Sequence, residues 1–122
     1  MPKRILVVDD EQPLLHAIQL ILNRHGYETL TACGGAECLE VLAQQAVDLV
    51  ILDIMMPEVD GWEVLRQLKS QGEADAIPVI LLTAKAQSID RLLGLEVFGV
   101  REYVTKPFAR NDLLEKVAKI LG

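Results

Sequence analysis

Five short apolar segments at regular intervals constrain the fold of this chain more than any other feature of its sequence. They comprise residues 5–8, 29–31, 49–52, 78–82 and 103–105. Most of them are rich in Val, Ile and Leu and are not broken by alternating polar residues. Such runs are typical of strands that are buried on both faces, as in a parallel sheet. We therefore expect five strands that pair in parallel.

The segments between these strands have helical spacing. In residues 13–25 the apolar positions are 14, 17, 18 and 21, with Pro13 near the start and Gly26 just past the end. Further helices are expected over residues 36–42, 61–68, 88–97 and 110–121. Strand followed by helix, five times over, predicts an α/β fold of the (βα)₅ type with right-handed crossovers and helices on both faces. The simplest closure is a doubly wound, flavodoxin-like parallel sheet of order 2-1-3-4-5, with residues 1–122 as a single domain.

The composition argues against several classes of function. The 122 residues include 12 Lys and Arg against 18 Asp and Glu, and the formal charge of −6 makes direct binding to nucleic acid or anionic lipid unfavourable. The apolar run at residues 5–8 is too short for a signal peptide, and no run is long enough to span a bilayer. We expect a cytoplasmic protein that does not contact a membrane, with Cys33 and Cys38 as thiols in the core.

Polar and charged residues stand where the predicted strands end. Asp9 and Asp10 follow the first strand, Asp53 the third, Thr83 the fourth and Lys106 the fifth. The carboxyl ends of parallel strands meet at one edge of the sheet, where open α/β folds bind their ligands. Each residue taken alone is also explained as a turn residue or a helix cap. Their occurrence at successive strand ends favours a common site.

The charges at this edge indicate the chemistry of the site. Asp9, Asp10 and Asp53 would raise one another's pKa values unless a cation neutralised them, and oxygen ligands without nearby His or Cys favour Mg²⁺. The ammonium of Lys106 and the hydroxyl of Thr83 suit the oxygens of a phosphoryl group. The glycine-rich loops of nucleotide-binding folds are absent from the sequence. Asp53 is then the natural phosphoryl acceptor, because carboxylates form aspartyl phosphates.

Four motifs together resemble the receiver (CheY-like) domain of two-component response regulators. They are Val7-Val8-Asp9-Asp10-Glu11, Leu52-Asp53-Ile54-Met55-Met56-Pro57 with Asp60-Gly61, Leu82-Thr83-Ala84 and Thr105-Lys106-Pro107-Phe108. The resemblance implies a phosphorelay protein, rather than a turnover enzyme, in which Asp53 accepts a phosphoryl group. The donor would be a sensor histidine kinase or a histidine phosphotransfer protein. The cofactor would be Mg²⁺, bound by Asp9, Asp10, Asp53 and the backbone carbonyl of Met55.

The same resemblance implies roles for residues around the acceptor. Lys106 would pair with the phosphoryl oxygens, and the Lys106-Pro107 peptide bond would be cis. Thr83 and Tyr103 match the switch pair of the family. The Thr83 hydroxyl would move to a phosphoryl oxygen, and the ring of Tyr103 would turn inward into the space it leaves. The expected output is a changed surface around the fourth helix, fifth strand and fifth helix, which controls an effector domain or partner protein.

The first predicted helix carries a second apolar strip beside its core stripe. At about 100° per residue, Leu15 and Leu22 lie together beyond the edge of the stripe formed by positions 14, 17, 18 and 21. This strip is a candidate surface for a helix of the histidine-bearing partner. The margin of an ordinary core explains the same pattern, so both interpretations stay open.

Two other functions fit parts of the sequence. A receiver that only docks partners would not require the complete set of strand-end residues. A Mg²⁺-dependent phosphatase would need a second carboxylate shortly after the nucleophile as general acid or base, and Met55 occupies that place. A phospho-accepting switch is therefore the expected function.

Overall fold

The strands form the sheet that the apolar segments predict. The structure is a computed structural model that describes residues 2–53, 61–70, 77–83 and 101–122. The strands are β1 (Arg4–Val8), β2 (Glu28–Ala32), β3 (Leu49–Asp53), β4 (Val79–Thr83) and β5 (Glu102–Thr105). Neighbouring strands pair in parallel in the order β2-β1-β3-β4-β5. The predicted fold class and strand order are confirmed.

Helices alternate with these strands. Those described are α1 (Gln12–Arg24), α2 (Gly35–Gln44), α3 (Gly61–Ser70) and the C-terminal helix (Arg110–Leu121). The helix predicted over residues 88–97 lies outside the described residues. Pro13 stands in the first turn of α1, and Gly26 beyond its end has a φ of +88°, which residues with a Cβ rarely adopt. Among the described helices, none is long and apolar enough to cross a membrane.

Each face of the sheet carries one apolar cluster. The cluster under α1 and the C-terminal helix, which we call the α1 face, includes Ile18, Val117 and the strand residue Ile51. The cluster under α2 and α3, which we call the α2 face, includes Cys38 and the strand residue Leu52. Because successive strand residues point to opposite faces, the neighbours Ile51 and Leu52 belong to different clusters. Every residue of β3 is buried: the apolar run 49–52, as the sequence predicts, and Asp53 at its end.

The buried side of α1 differs from the predicted one. Leu15 and Leu22 are 3% and 0% exposed and belong to the α1 face together with Ile18, whereas Ala17 is exposed. The interpretation of Leu15 and Leu22 as a partner surface is therefore wrong, and the alternative of an ordinary core is right. Apolar residues occupy a wide arc of this helix, and packing on the sheet rotates the buried side by roughly 80° from the predicted stripe.

The two cysteines have different environments. Cys38 is completely buried in the α2 face, whereas Cys33 is exposed beyond the end of β2. The Sγ atom of Cys33 accepts a hydrogen bond of 2.7 Å from the side-chain amide of Gln12. The expectation of two core cysteines is confirmed for Cys38 and wrong for Cys33, because only Cys38 lies on the inner side of a helix that covers the sheet.

Candidate functional site at the carboxyl edge of the sheet

Three carboxylates meet at the carboxyl edge of the sheet. Asp53 is the last residue of β3, and Asp9 and Asp10 follow β1. Each offers one oxygen atom, and these atoms lie within 4.8 Å of one another. Asp9 and Asp53 are 0% and 1% exposed, whereas Asp10 is exposed. The predicted acidic group is thus brought together by the central strand β3 and its neighbour β1.

The register of the sheet and two backbone contacts set this arrangement. Val8 of β1 pairs with Leu52 of β3, so the chain leaves two adjacent strands at the same level. The backbone N–H of Asp9 donates to the carbonyl of Ala32 at 3.2 Å. The backbone N–H of Glu11 donates to Oδ1 of Asp9 at 2.9 Å. One carboxylate oxygen of Asp9 is therefore fixed by the loop that leads into α1.

Lys106 brings a positive charge into the carboxylate group. Its Nζ lies 2.9 Å from Oδ2 of Asp9, 3.2 Å from Oδ2 of Asp53 and 3.2 Å from Oε1 of Glu11. The lysine side chain is 15% exposed and reaches this point from the loop after β5. The Lys106-Pro107 peptide bond is cis. The ammonium thus neutralises part of the charge of an acidic cluster in which Asp9 and Asp53 are buried.

Burial and pairing act on the pKa values of this group in opposite directions. Burial raises the pKa of Asp9, and the ammonium of Lys106 and the backbone N–H of Glu11 offset this only in part. Burial alone would lower the pKa of Lys106, but the carboxylates of Asp9, Asp53 and Glu11 outweigh it and raise that pKa. Lys106 therefore stays charged at neutral pH, while ionisation of Asp9 costs more free energy in the folded protein than in water.

The donor set of this site fits a hard divalent cation. Oδ2 of Asp9 is completely buried, and in the described part of the chain its partner is the ammonium of Lys106 at 2.9 Å. Buried carboxylates are costly unless positive charge balances them, and here the single ammonium of Lys106 is shared among Asp9, Glu11 and Asp53. Asp9, Asp10 and Asp53 together form an all-oxygen donor set of the kind that Mg²⁺ prefers.

The other residues predicted for the site differ in what the structure describes. Thr83 ends β4, where it pairs with Thr105 of β5, but its side chain is not among those described. Met55 lies outside the described residues. Tyr103 lies on β5 and is half-buried against the α2 face. Sequence reasoning assigned no role to Glu11, although its place in the acidic run after β1 was a signal that it could reach Lys106.

Comparisons with known proteins define the family. A doubly wound parallel sheet with charged residues gathered at its carboxyl edge is the general architecture of a ligand-binding α/β domain. The model of the response regulator receiver domain family matches residues 5–118. The chain therefore belongs to the response regulator receiver domain family.

Individual relatives agree with this assignment. The chain is 42% identical over 121 residues to the alkaline phosphatase synthesis transcriptional regulatory protein PhoP of Bacillus subtilis (strain 168). The matched region covers 99% of this chain and 49% of that protein. The chain thus spans about half the length of this relative. Its structure is similar to chemotaxis protein CheY4 of Vibrio cholerae, with a TM-score of 0.91, 26% identity and coverage of 98% and 99%. It is also similar to a receiver domain protein of Methanospirillum hungatei JF-1, with a TM-score of 0.81, 34% identity and coverage of 93% and 90%.

Family membership gives the site its general meaning. A receiver domain is a phospho-accepting signalling module rather than a turnover enzyme, and it implies a kinase as partner. The cluster of Asp9, Asp10 and Asp53 is consistent with a phosphoacceptor site and is typical of a receiver-domain metal site.

Proposed function

We propose that Asp53 accepts a phosphoryl group from a phosphohistidine of a sensor kinase or phosphotransfer protein. The observation that carries this proposal is the position of its carboxylate. It is almost completely buried, stands at the end of a central strand, and has Lys106 at 3.2 Å and two further carboxylates beside it. In the transfer, an oxygen of Asp53 forms the new bond to phosphorus while the phosphorus–nitrogen bond of the donor breaks. The imidazole leaves with the electron pair of that bond.

The residues around Asp53 have distinct parts in this reaction. Asp9, Asp10, Asp53 and the backbone carbonyl of Met55 would hold Mg²⁺, which, when bound, neutralises charge on the phosphoryl oxygens. Lys106 would move its ammonium from Asp9 to a phosphoryl oxygen, a shift that its flexible side chain permits. The same pocket would later allow water to hydrolyse the acyl phosphate, so the domain catalyses both its own phosphorylation and its own dephosphorylation.

The proposed output is a change of surface around Thr83 and Tyr103. The hydroxyl of Thr83 would bond a phosphoryl oxygen, and Tyr103 would turn into the space that it leaves. This biases the surface of residues 88–97, β5 and the C-terminal helix between two states. An effector domain or partner protein would bind one of these states. Residues 1–122 would act as a single receiver domain in the cytoplasm.

The proposal is tested by intact-mass spectrometry after incubation with phosphoramidate, a small donor that requires no partner. We expect a gain of one phosphoryl group that depends on Mg²⁺ and that Asp53→Asn abolishes. Asp48→Asn is a matched control, because Asp48 lies before the other end of β3, where its carboxylate accepts the backbone N–H of Arg4 at 2.8 Å. This variant should be phosphorylated like the wild type. A wild-type protein that gains no mass with or without Mg²⁺ would support the docking-only alternative.

A further inference from the structure

Tyr103 is held by a lysine of the C-terminal helix. Nζ of Lys116 donates a hydrogen bond of 2.7 Å to the backbone carbonyl of Tyr103. The same nitrogen lies 5.2 Å from the centroid of the Tyr103 ring. It also pairs with Oδ2 of Asp112, one helical turn earlier, at 3.2 Å. A single ammonium group therefore contacts both the backbone and the ring of Tyr103.

This contact joins groups from the two faces of the sheet at its edge strand. β5 is an edge strand, the C-terminal helix packs on the α1 face through Leu113 and Val117, and Tyr103 packs against the α2 face. Lys116 precedes Val117 and so lies beside the buried side of its helix. Its side chain is only 23% exposed, and the carboxylate of Asp112 restrains its free end. The ammonium is thus placed against the ring with limited solvent screening.

We propose that Lys116 is a positioning residue for the switch, and that its ammonium favours the ring position of Tyr103 seen here over ring positions farther from it. A ring position farther from the ammonium lacks the cation–π attraction, so this attraction contributes to one state and not to the other. The hydrogen bond from Lys116 to the backbone carbonyl does not involve the ring, so it does not favour one ring position over another. Only a contact that differs between two states shifts their populations. A cation–π contact at a partly exposed site corresponds to a bias of about two- to fivefold.

The ring position is tested first, without Mg²⁺ or a phosphoryl donor. Lys116→Met keeps the length of the side chain but removes its charge, and Lys116→Arg keeps the charge over the ring. The chain has two tyrosines, so ring NMR signals and χ1 couplings of Tyr103 can be assigned. In Lys116→Met we expect the population of other ring rotamers of Tyr103, relative to the present one, to rise about two- to fivefold, with Lys116→Arg like the wild type.

Lys119→Met is the matched control for this experiment. Lys119 lies on the same helix, is 71% exposed and pairs with Glu102 at 3.1 Å. Its substitution removes the same charge and should leave the signals of Tyr103 unchanged. Asp112→Asn tests the anchoring of the ammonium, and we expect a smaller change in the same direction. Ring signals that respond equally to Lys116→Met and Lys119→Met would overturn the proposal.

A second measurement follows phosphorylation by phosphoramidate and rests on the proposed function. Because the proposed switch turns the ring of Tyr103 out of its present position, Lys116→Met should be phosphorylated about two- to fivefold faster than Lys119→Met. A changed ring signal with an unchanged rate would overturn the role of Lys116 in the switch. A wild type that is never phosphorylated would overturn the proposed function instead, while the ring signals would still decide whether Lys116 positions Tyr103.

Discussion

The ammonium nitrogen of Lys106 lies 3.2 Å from Oδ2 of Asp53, although 53 positions separate these residues in the chain. Neither side chain is free to turn to solvent, since they are 15% and 2% exposed. The same ammonium also meets Asp9, whose side chain is fully buried. The stability of the metal-free domain therefore depends on a cation that the protein itself supplies.

Removal of that cation should destabilise the metal-free protein. Lys106→Met leaves the buried carboxylates of Asp9 and Asp53 without a counter-charge, and breaking such a buried pair costs about 3 kcal/mol of unfolding free energy. Urea unfolding at neutral pH measures the effect. Mg²⁺ should restore part of the loss, because a ligand that binds only the folded state stabilises it.

An exposed ion pair provides the control for this prediction. Lys119→Met removes the partner of Glu102 at a position that is 71% exposed. Exposed pairs of this kind contribute about 0 to 1 kcal/mol. Equal losses of stability in Lys106→Met and Lys119→Met would show that the buried pairing does not stabilise the domain.

The raised pKa of Asp9 gives stability a defined dependence on pH. Burial is the largest cause, so the folded protein holds the Asp9 proton more tightly than the unfolded chain does. The tighter proton binding stabilises the folded state. This stabilisation is complete below the unfolded pKa of about 4 and is lost as pH rises through the higher pKa of the folded protein. We expect the unfolding free energy of the wild type minus that of Asp9→Asn to decrease as pH rises above about 4 in the absence of divalent cations.

Urea unfolding of both proteins over that range provides the measurement. Repeating the series with Mg²⁺ is the control, because a bound cation lowers the cost of the ionised carboxylate. The decrease should then become smaller or vanish. A difference that grows with pH in the metal-free series would contradict the prediction.

The buried side of α1 can be checked by truncation of its leucines. Leu22 is completely buried, and Leu22→Ala should reduce the unfolding free energy by about 2 to 5 kcal/mol because it leaves a cavity in the α1 face. Leu20 is 53% exposed, and Leu20→Ala should change stability by less than about 0.5 kcal/mol. Denaturant unfolding of the two variants measures both changes. Similar values would mean that the helix is rotated differently.

Thiol labelling should distinguish the two cysteines in the folded protein. Burial raises the pKa of Cys38 to about 12, and its side chain is inaccessible, whereas Cys33 is exposed. Because the thiolate is the reactive form, a disulfide reagent should modify one thiol in the native protein and the second only in denaturant. Cys33→Ser should remove the native reaction. Two thiols that react at equal rates without denaturant would show that α2 does not cover Cys38.

The strands, their order and the meeting of Asp9, Asp10 and Asp53 could all be predicted from the sequence. Apolar runs without alternation require strands that are covered on both faces, and the carboxyl ends of parallel strands necessarily share one edge. A charged residue that follows such a strand is therefore placed to within a few ångströms by topology alone. The acidic cluster could therefore be predicted from the sequence alone.

Tertiary packing decided what topology leaves open. The apolar arc of α1 is wide enough to bury either of two stripes, and only the fit to the sheet selects Leu15, Ile18 and Leu22. The contact of Glu11 with Lys106, like that of Lys116 with Tyr103, joins long side chains whose many rotamers no sequence period restricts. Periodicity determined which backbone segments form the fold, and close packing determined which side of each helix is buried and which charges meet.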